Sequence, residues 1–600
     1  MNITPNKLTI AQLFATPNEQ FIVPSYQRRY AWGNQQYLAL YEDIDKLLEN
    51  DGHLFGMIIL HTSIHTGGLN QPELVDGQQR MTTLVILLKA FKDAYVKKGK
   101  IEKADEIEKM IMCRGLDEQK RPKIKLGDLD NKDIEKLLLY NDTANISNKN
   151  IRSAYQDYLN KLSSLEVDKL NHFFFKLTNI SVIIRLDVGM AQDAYKLFET
   201  INNRGLKLTP TDIIKNFLLG HAAKINQNQI LIKVKELWSQ IITNLDEIDT
   251  DDFLRHFICA QLKRKVTSSM LVYEFKKYYL KSIKQADLLG EYGYYQIDYE
   301  SENDEEDVEE TNIENENGEG KEEEVPQRLK IDIVEFITLL KDLSEVYRQI
   351  AKASFENVKI NSRIKNLNNI LSKPSYIFLM HFLKGEAHSV GEKLEVLKFI
   401  EILMLRRHIC ERRTNENDDI FSKMIPFIGS ENICSKIKSS VDEGEFMPPD
   451  IEFVESFPKH EFKGKLIDRA KYVLKLFEYD KRGNTDELLV SSNVELEHII
   501  PQTIKTKRSK EEFGDWQEYL GENSLSKHKK FVNLIGNMTL LGESLNIQAY
   551  NNPFTKKKDS YRKSSFRITQ DLANQSDFKF SHLTRRGETL AQLALKIWKY

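Results

Sequence analysis

Residues 301–327 read SENDEEDVEETNIENENGEGKEEEVPQ, and between Glu300 and Glu324 fourteen acidic residues stand against one lysine. A stretch of this kind repels itself and has too little apolar surface to offset the entropy of ordering, so it predicts a disordered insertion or linker near 300–326 that divides the chain. Its local net charge of −13, set against −3 for the whole chain, leaves everything else at +10. The basic excess concentrates at the end. From Pro501 to Tyr600 eighteen Lys/Arg meet ten Asp/Glu, with clusters at Lys505–Lys510, Lys527–Lys530 and Lys556–Lys558. Such clusters suit a polyanion, because phosphate contacts release counterions, although a solvated lysine-rich surface has the same composition.

A chain of 600 residues exceeds what one core usually holds, so two or three domains are expected. Residues 1–225 mix short β-type runs (Gln20–Pro24, Leu54–Thr62, Glu73–Val75, Ser181–Asp187) with helical patterns (Gln35–Leu48, Met81–Lys97), which predicts an α/β domain. Residues 226–450 repeat apolar positions at helical spacing (Ile230–Leu245, Ile331–Ala351, Lys393–Arg407) and predict a helical connector. Residues 451–600 open on another helix, Lys463–Tyr479, and then change to short strand, loop and helix signals. The four cysteines lie far apart with no CxxC, against a zinc knuckle or disulfide framework and in favour of a reducing cytoplasm. No run approaches the apolar length of a membrane helix, and the N-terminus lacks the pattern of an export signal, so a cytoplasmic protein without membrane contact is expected.

The C-terminal run VELEHIIPQ reads as a strand that ends near Pro501 and turns the side chains of Glu497 and His498 to opposite faces. Alone, a histidine between Leu496 and Ile499 is more often a packed one. NLIGNMTLLGESLN follows, with Asn537 after Gly536 in a loop and Asn546 at a helix start. Phosphodiester hydrolysis needs a base to activate water, a cation to stabilise the pentacovalent phosphate, and a group that holds the base in place. His498 has the chemistry of the base and Asn537 that of the group fixing its ring. Glu497 and Asn546 offer hard oxygen ligands suited to Mg²⁺ or Mn²⁺. His528 and His582 lack a motif and are expected at the surface.

At the other end, LVDGQQRMTTL places Asp76, Gly77, Gln78, Gln79 and Arg80 at a helix start. Asp76 as a cap, Gly77 in the turn and Gln79 as a capping-box partner explain three of them. Arg80 and the paired glutamines at a helix N-terminus suit an anion. VPSYQRRYAW interleaves Arg28 and Arg29 with Tyr26, Gln27, Tyr30 and Trp32, a mixture able to grip phosphates and stack on bases, or to form a buried aromatic loop. FETINNRGLKLTPTDIIKNFLL carries Glu199, Asn202, Asn203, Arg204 and Gly205, then Thr209 as N-cap, Pro210 in the first helical position, and Asp212 and Lys215 in the first turns.

These strings together resemble the GmrSD family of modification-dependent (type IV) restriction endonucleases. The C-terminal segment is similar to its HNH nuclease domain through His498-Ile499-Ile500-Pro501, Gly536-Asn537-Met538-Thr539-Leu540-Leu541, Asn546 and Phe554-Thr555-Lys556-Lys557. Many such domains have Asp where this chain has Glu497. The resemblance implies a multidomain, predominantly helical α+β chain with a ParB-like N-terminal domain and a ββα-metal (His-Me finger) nuclease domain. It implies an anti-phage endonuclease that cuts modified DNA with Mg²⁺ or Mn²⁺, catalytic through His498, Asn537 and Asn546, with metal ligands Glu497 and Asn546. It also implies a nucleoside triphosphate, held with Mg²⁺ and hydrolysed at Asp76, Gly77, Gln78, Gln79 and Arg80, with Glu199, Asn203, Arg204 and Asp212 as supports. Tyr26, Gln27, Arg28, Arg29 and Tyr30, with Lys556, Lys557 and Lys558, are the expected DNA-contacting or sensing residues. There is no P-loop string. One nuclease site cuts one strand, so a homo-oligomer or successive nicks would make a double-strand break. The alternatives are a nucleotide-dependent DNA-binding regulator, or an NTPase in which the HNH-like domain is secondary.

Overall fold

In the computed structural model, residues 3–48, 52–62, 65–202, 209–225, 228–286, 288, 330–483, 494–504, 511 and 514–600 are described. The chain forms two compact units, residues 1–254 with 267–345, and residues 255–266 with 346–600. It is mostly helical, with a small mixed sheet in the first unit.

That sheet has six strands in the order Ile3–Thr9, Ser181–Val188, His53–His61, Glu73–Asp76, Phe21–Ile22 and Ile124–Lys125. The first pair is antiparallel, Ser181–Val188 runs parallel to His53–His61, and Glu73–Asp76 runs antiparallel to His53–His61. The β-type runs read from the sequence all fall in these strands. The edge strand Ile3–Thr9, ITPNKLT, escaped that reading because its central Pro5 and Asn6 are poor strand formers; pairing with Ser181–Val188 along its length overrides them.

The strand Glu73–Asp76 leads through Gly77 directly into the helix Gln78–Lys97, whose face from Met81 to Ala90 is buried in the main core. The turn requires glycine. Gly77 sits at φ +92°, and a Cβ there would lie 2.5 Å from Ile58 Cγ2. The helices Ile101–Ile111 and Lys149–Ser163 cover the Gln78–Lys97 helix.

The helices of the middle region, Asn228–Asn244, Ile333–Lys352 and Val390–Ile409, agree with the apolar periodicity and are divided between the two units. The acidic stretch lies outside the described residues. Its flanks are informative: Ile283 and Ile331 form a parallel bridge, with Lys284 N donating to Ile331 O at 3.0 Å and Ile331 N to Ser282 O at 3.0 Å. The two flanks of that stretch therefore lie side by side within the first unit. No helix among the described residues is long and apolar enough to cross a membrane.

In the second unit, Val494–His498 pairs antiparallel with Met538–Gly542, from Val494 opposite Gly542 to His498 opposite Met538. The helix Glu543–Ala549 follows at once. Ile499, Ile500, Leu541, Phe554, Tyr561 and Leu583 belong to the core beneath this strand, strand and helix unit.

Gly77→Ala is expected to cost roughly 1–3 kcal/mol through left-handed strain, plus the contact with Ile58. Thermal denaturation of the two purified chains checks it: an unchanged midpoint would refute the requirement for glycine.

Candidate functional site

His498 ends its strand half-buried, while its neighbour Glu497 is buried on the opposite side of the strand. The alternation expected from the sequence is present, but it gives the two residues different work. Glu497 Oε1 accepts from Lys557 Nζ at 2.7 Å and from the Tyr561 hydroxyl at 2.9 Å. Lys557, fully buried, also donates to the backbone carbonyl of His498 at 2.8 Å. Burial pushes the Glu497 carboxyl up and the Lys557 ammonium down, and each charge opposes the shift of the other. Glu497, expected as a metal ligand, uses Oε1 to hold a buried cation that ties the strand to the helix Phe554–Arg562. Lys557 is thereby removed from the DNA-contacting residues. Lys558 donates to Gln575 O at 2.7 Å, Lys556 remains exposed, and the cluster at 505–510 lies outside the described residues.

Asn537 also takes a different position from the one expected. It is buried in the turn Ile535–Asn537, where its Oδ1 accepts from Ile500 N at 2.8 Å and its Nδ2 donates to Ile500 O at 2.9 Å and Val532 O at 2.9 Å. Its backbone carbonyl accepts from Ile499 N at 2.9 Å. Asn537 thus fixes the two residues after His498 and not the imidazole itself. Gly536 allows this turn to press against the helix Phe580–Ile597, since a Cβ would stand 2.3 Å from Leu583 O. Arg586 of that helix donates to the carbonyls of Ile535, Gly536 and Met538 at 3.2, 2.9 and 2.7 Å. Burial pushes its guanidinium down to about 10, and nothing in its local sequence marks it.

The imidazole of His498 is pushed down from 6.5 to about 4, first by burial and then by the positive charges of Lys557 and His528. It is neutral at pH 7. Gln502 Nε2 lies 3.3 Å from His498 Nε2, and an amide N–H can only donate, so Nε2 carries the lone pair. His528 is buried rather than at the surface, its Nε2 donating to Pro501 O at 2.7 Å, and His582 is half-buried against Phe578. Asn546 lies in the helix Glu543–Ala549, which packs on both strands, and its Oδ1 is buried with no hydrogen-bond partner among the described residues. Such an acceptor is costly unless something fills it. No group of three or more His, Cys, Asp or Glu among the described residues is arranged to hold a metal ion.

In the first unit the three N-terminal strings do meet. A pocket of about 160 Å³ is lined by Gln27, Arg28, Trp32, the run Val75–Arg80, Phe198, Asp212 and Lys215. Its local structure departs from the capping account of DGQQR. Asp76 Oδ1 accepts from Gly77 N at 2.7 Å, Gly77 is the N-cap, and no side chain caps the helix. Gln79 reaches instead to the preceding loop, accepting from Ala31 N at 2.8 Å and Trp32 N at 3.3 Å and donating to Arg29 O at 3.0 Å. Arg80 donates to Met57 O at 2.6 Å, packed against Gly56, and burial lowers its pKa.

Four of the five residues expected to touch DNA here make contacts within the protein. Tyr26 is buried with its hydroxyl on Glu73, Tyr30 is buried on Thr83 at 2.8 Å, and Gln27 donates to Val75 O at 3.0 Å. Arg29 pairs with Asp130 at 2.9 Å and Asp246 at 3.1 Å. Neither tyrosine presents a ring face for stacking, and Arg28 is the one left exposed. The helix Pro210–Lys224 starts as expected, with Thr209 as N-cap and Pro210 in the first turn. Residues 203–208, including Asn203, Arg204 and Gly205, lie outside the described residues, as do the side chains of Glu199 and Asn202.

The chain thus carries a six-stranded α/β unit with a polar pocket and a paired-strand unit presenting a half-buried histidine. Comparison with known families makes this a restriction endonuclease. Residues 10–219 match the N-terminal domain of the GmrSD restriction endonuclease, and residues 447–593 match the GmrSD C-terminal domain, together more than half of the chain. The chain belongs to the GmrSD restriction endonuclease family. No curated protein matches it.

Lys557→Met leaves Glu497 buried and unpaired and is expected to destabilise the second unit by about 3–5 kcal/mol. Adding Glu497→Gln to the same chain should recover much of that loss. Denaturant titration of the single and double variants checks it, and equal midpoints for wild type and Lys557→Met would refute the pairing.

Proposed function

We propose that the second unit cleaves DNA as a one-metal HNH nuclease and that the first unit binds and hydrolyses a nucleoside triphosphate to control it. The observation that carries the nuclease reading is the pairing of a neutral, half-buried His498 at a clamped strand end with the orphaned Oδ1 of Asn546 on the adjoining helix. His498 Nε2 accepts the proton of the attacking water as the phosphorus–oxygen bond to the leaving sugar oxygen breaks. Asn537 acts through His498, holding the backbone on which the imidazole depends. A buried acceptor with no partner suits a hard cation, and Asn546 is the protein oxygen that would hold Mg²⁺ or Mn²⁺. Such a cation, when bound, would supply positive charge to the pentacovalent phosphate. Family membership supports a divalent requirement and DNA as the substrate. Modified phage DNA, by the same resemblance, is the substrate proposed.

The nucleotide reading is supported by the convergence of DGQQR, Arg28 and the Pro210–Lys224 helix on one pocket. There Gln78 and the uncapped helix start face the ligand, while Gln79 positions the loop that carries Arg28.

His498→Ala is expected to reduce cleavage by about 10²- to 10⁴-fold with Mg²⁺ on plasmid DNA bearing glucosylated hydroxymethylcytosine, methylcytosine, phosphorothioate or no modification. Equal cutting by both proteins, or no cutting of any modified DNA, would sink the assignment. Because His498 stays neutral down to about 4, native cleavage should persist as pH falls through 6.5, where an ordinary imidazole would protonate. The same shift makes folding stability decline as pH falls from 6.5 toward 4, since the unfolded chain then binds the additional proton. A pH–rate profile with an acid limb near 6.5 would contradict the first expectation.

A further inference from the structure

Three features of the first unit's pocket leave a cation vacancy in the reading given by DGQQR. Arg80, the obvious cation of that string, spends Nη1 on Met57 O at 2.6 Å and packs against Gly56. Gln79 is spent on the backbone of residues 29–32. Lys215, from a helix more than a hundred residues away in sequence, lines the same pocket while its side chain is only 3 % exposed.

The Lys215 ammonium is held from two sides. Nζ donates to Gln27 Oε1 at 2.6 Å and to Asp212 Oδ1 at 3.0 Å. Gln27 is itself anchored on Val75 O at 3.0 Å, next to the DGQQR turn, and Asp212 Oδ2 accepts from the Thr209 hydroxyl at 2.9 Å. An ammonium has three donors and these contacts use two, so one N–H remains for a ligand. Lys215 and the exposed Arg28 both hold the Asp212 carboxyl below its usual range despite burial, which places the two cations about one carboxylate at the pocket wall. Arg28, Arg80 and Lys215 outnumber Asp76 and Asp212 among the charged lining residues, and the uncapped start of the Gln78–Lys97 helix adds partial positive charge.

We infer that Lys215 is a phosphate-binding residue of this pocket, positioned by Gln27 and Asp212, and that it supplies the charge the sequence assigns to Arg80. The inference rests on the reading of the pocket as a triphosphate site. A buried lysine with fixed acceptors and one open donor acts as a point charge for phosphate oxygens, as a bidentate arginine need not. Thr209, Asp212 and Gln27 then serve to aim it.

The test is equilibrium binding of Mg²⁺ with ATP, GTP, CTP, UTP and inorganic tripolyphosphate to the full chain, beside Lys215→Met, Lys215→Gln, Lys215→Arg and Arg80→Ala. Lys215→Met and Lys215→Gln should weaken binding of whichever probe the native chain takes by about ten- to a hundredfold. Lys215→Arg should recover part of it, and Arg80→Ala should lose less affinity than either neutral variant. Lys215→Gln keeps a hydrogen-bonding side chain, and its melting temperature beside that of the native chain separates loss of ligand from loss of fold. Native binding undiminished in both neutral variants would overturn the role of Lys215 while leaving the pocket a triphosphate site. A native chain that binds none of the five probes would overturn the triphosphate reading, and this inference with it.

Discussion

The carboxamide of Asn537 engages both backbone groups of Ile500, and the position of His498 two residues earlier depends on that clamp. A primary amide offers an acceptor and two donors in one plane, so it can replace the missing partner strand where Val494–His498 runs out of pairing. The clamp is in turn fixed from behind. Gly536 lets the turn touch the helix Phe580–Ile597, and Arg586 gathers the carbonyls of Ile535, Gly536 and Met538. A general base must be held close to its productive geometry, and here the holding is done by backbone contacts around the strand end.

Buried charge provides the second layer of support in both units. Glu497 and Lys557 join strand to helix under His498, and Lys215, paired with Asp212 on its own helix, joins that helix to Gln27 in the N-terminal pocket wall. Both pairs are made inside the protein, where loss of one partner leaves an uncompensated ion. Lys557 has a further electrostatic effect, since its ammonium helps to keep the nearby imidazole unprotonated.

Much of the local structure was legible in the residues. β-type runs at Leu54–Thr62 and Ser181–Asp187 fall on the strands His53–His61 and Ser181–Val188, helical spacing over Lys393–Arg407 falls in the helix Val390–Ile409, and Thr209-Pro210 marked a helix start that the structure contains. DGQQR was read as a turn entering a helix, which it is, and the apolar run after Asn537, read only as following a loop, is the strand Met538–Gly542. What went astray were side-chain partners. Tyr26 and Tyr30 look like stacking residues beside two arginines, yet both rings are buried and their hydroxyls serve Glu73 and Thr83. Lys557 looks like one of three surface lysines, and His528 like a solvated histidine, until the fold encloses them.

The sequence by itself determined much of the order of elements, the charge segregation and the family. These follow from periodicity, turn chemistry and charge, all of which act between near neighbours in the chain. Tertiary structure alone decided that Glu497 faces Lys557, that Asn537 holds the backbone of Ile500, and that Lys215 comes to lie beside Gln27. Such partners are 60, 37 and 188 residues apart, and only packing specifies which of many polar groups is buried against which.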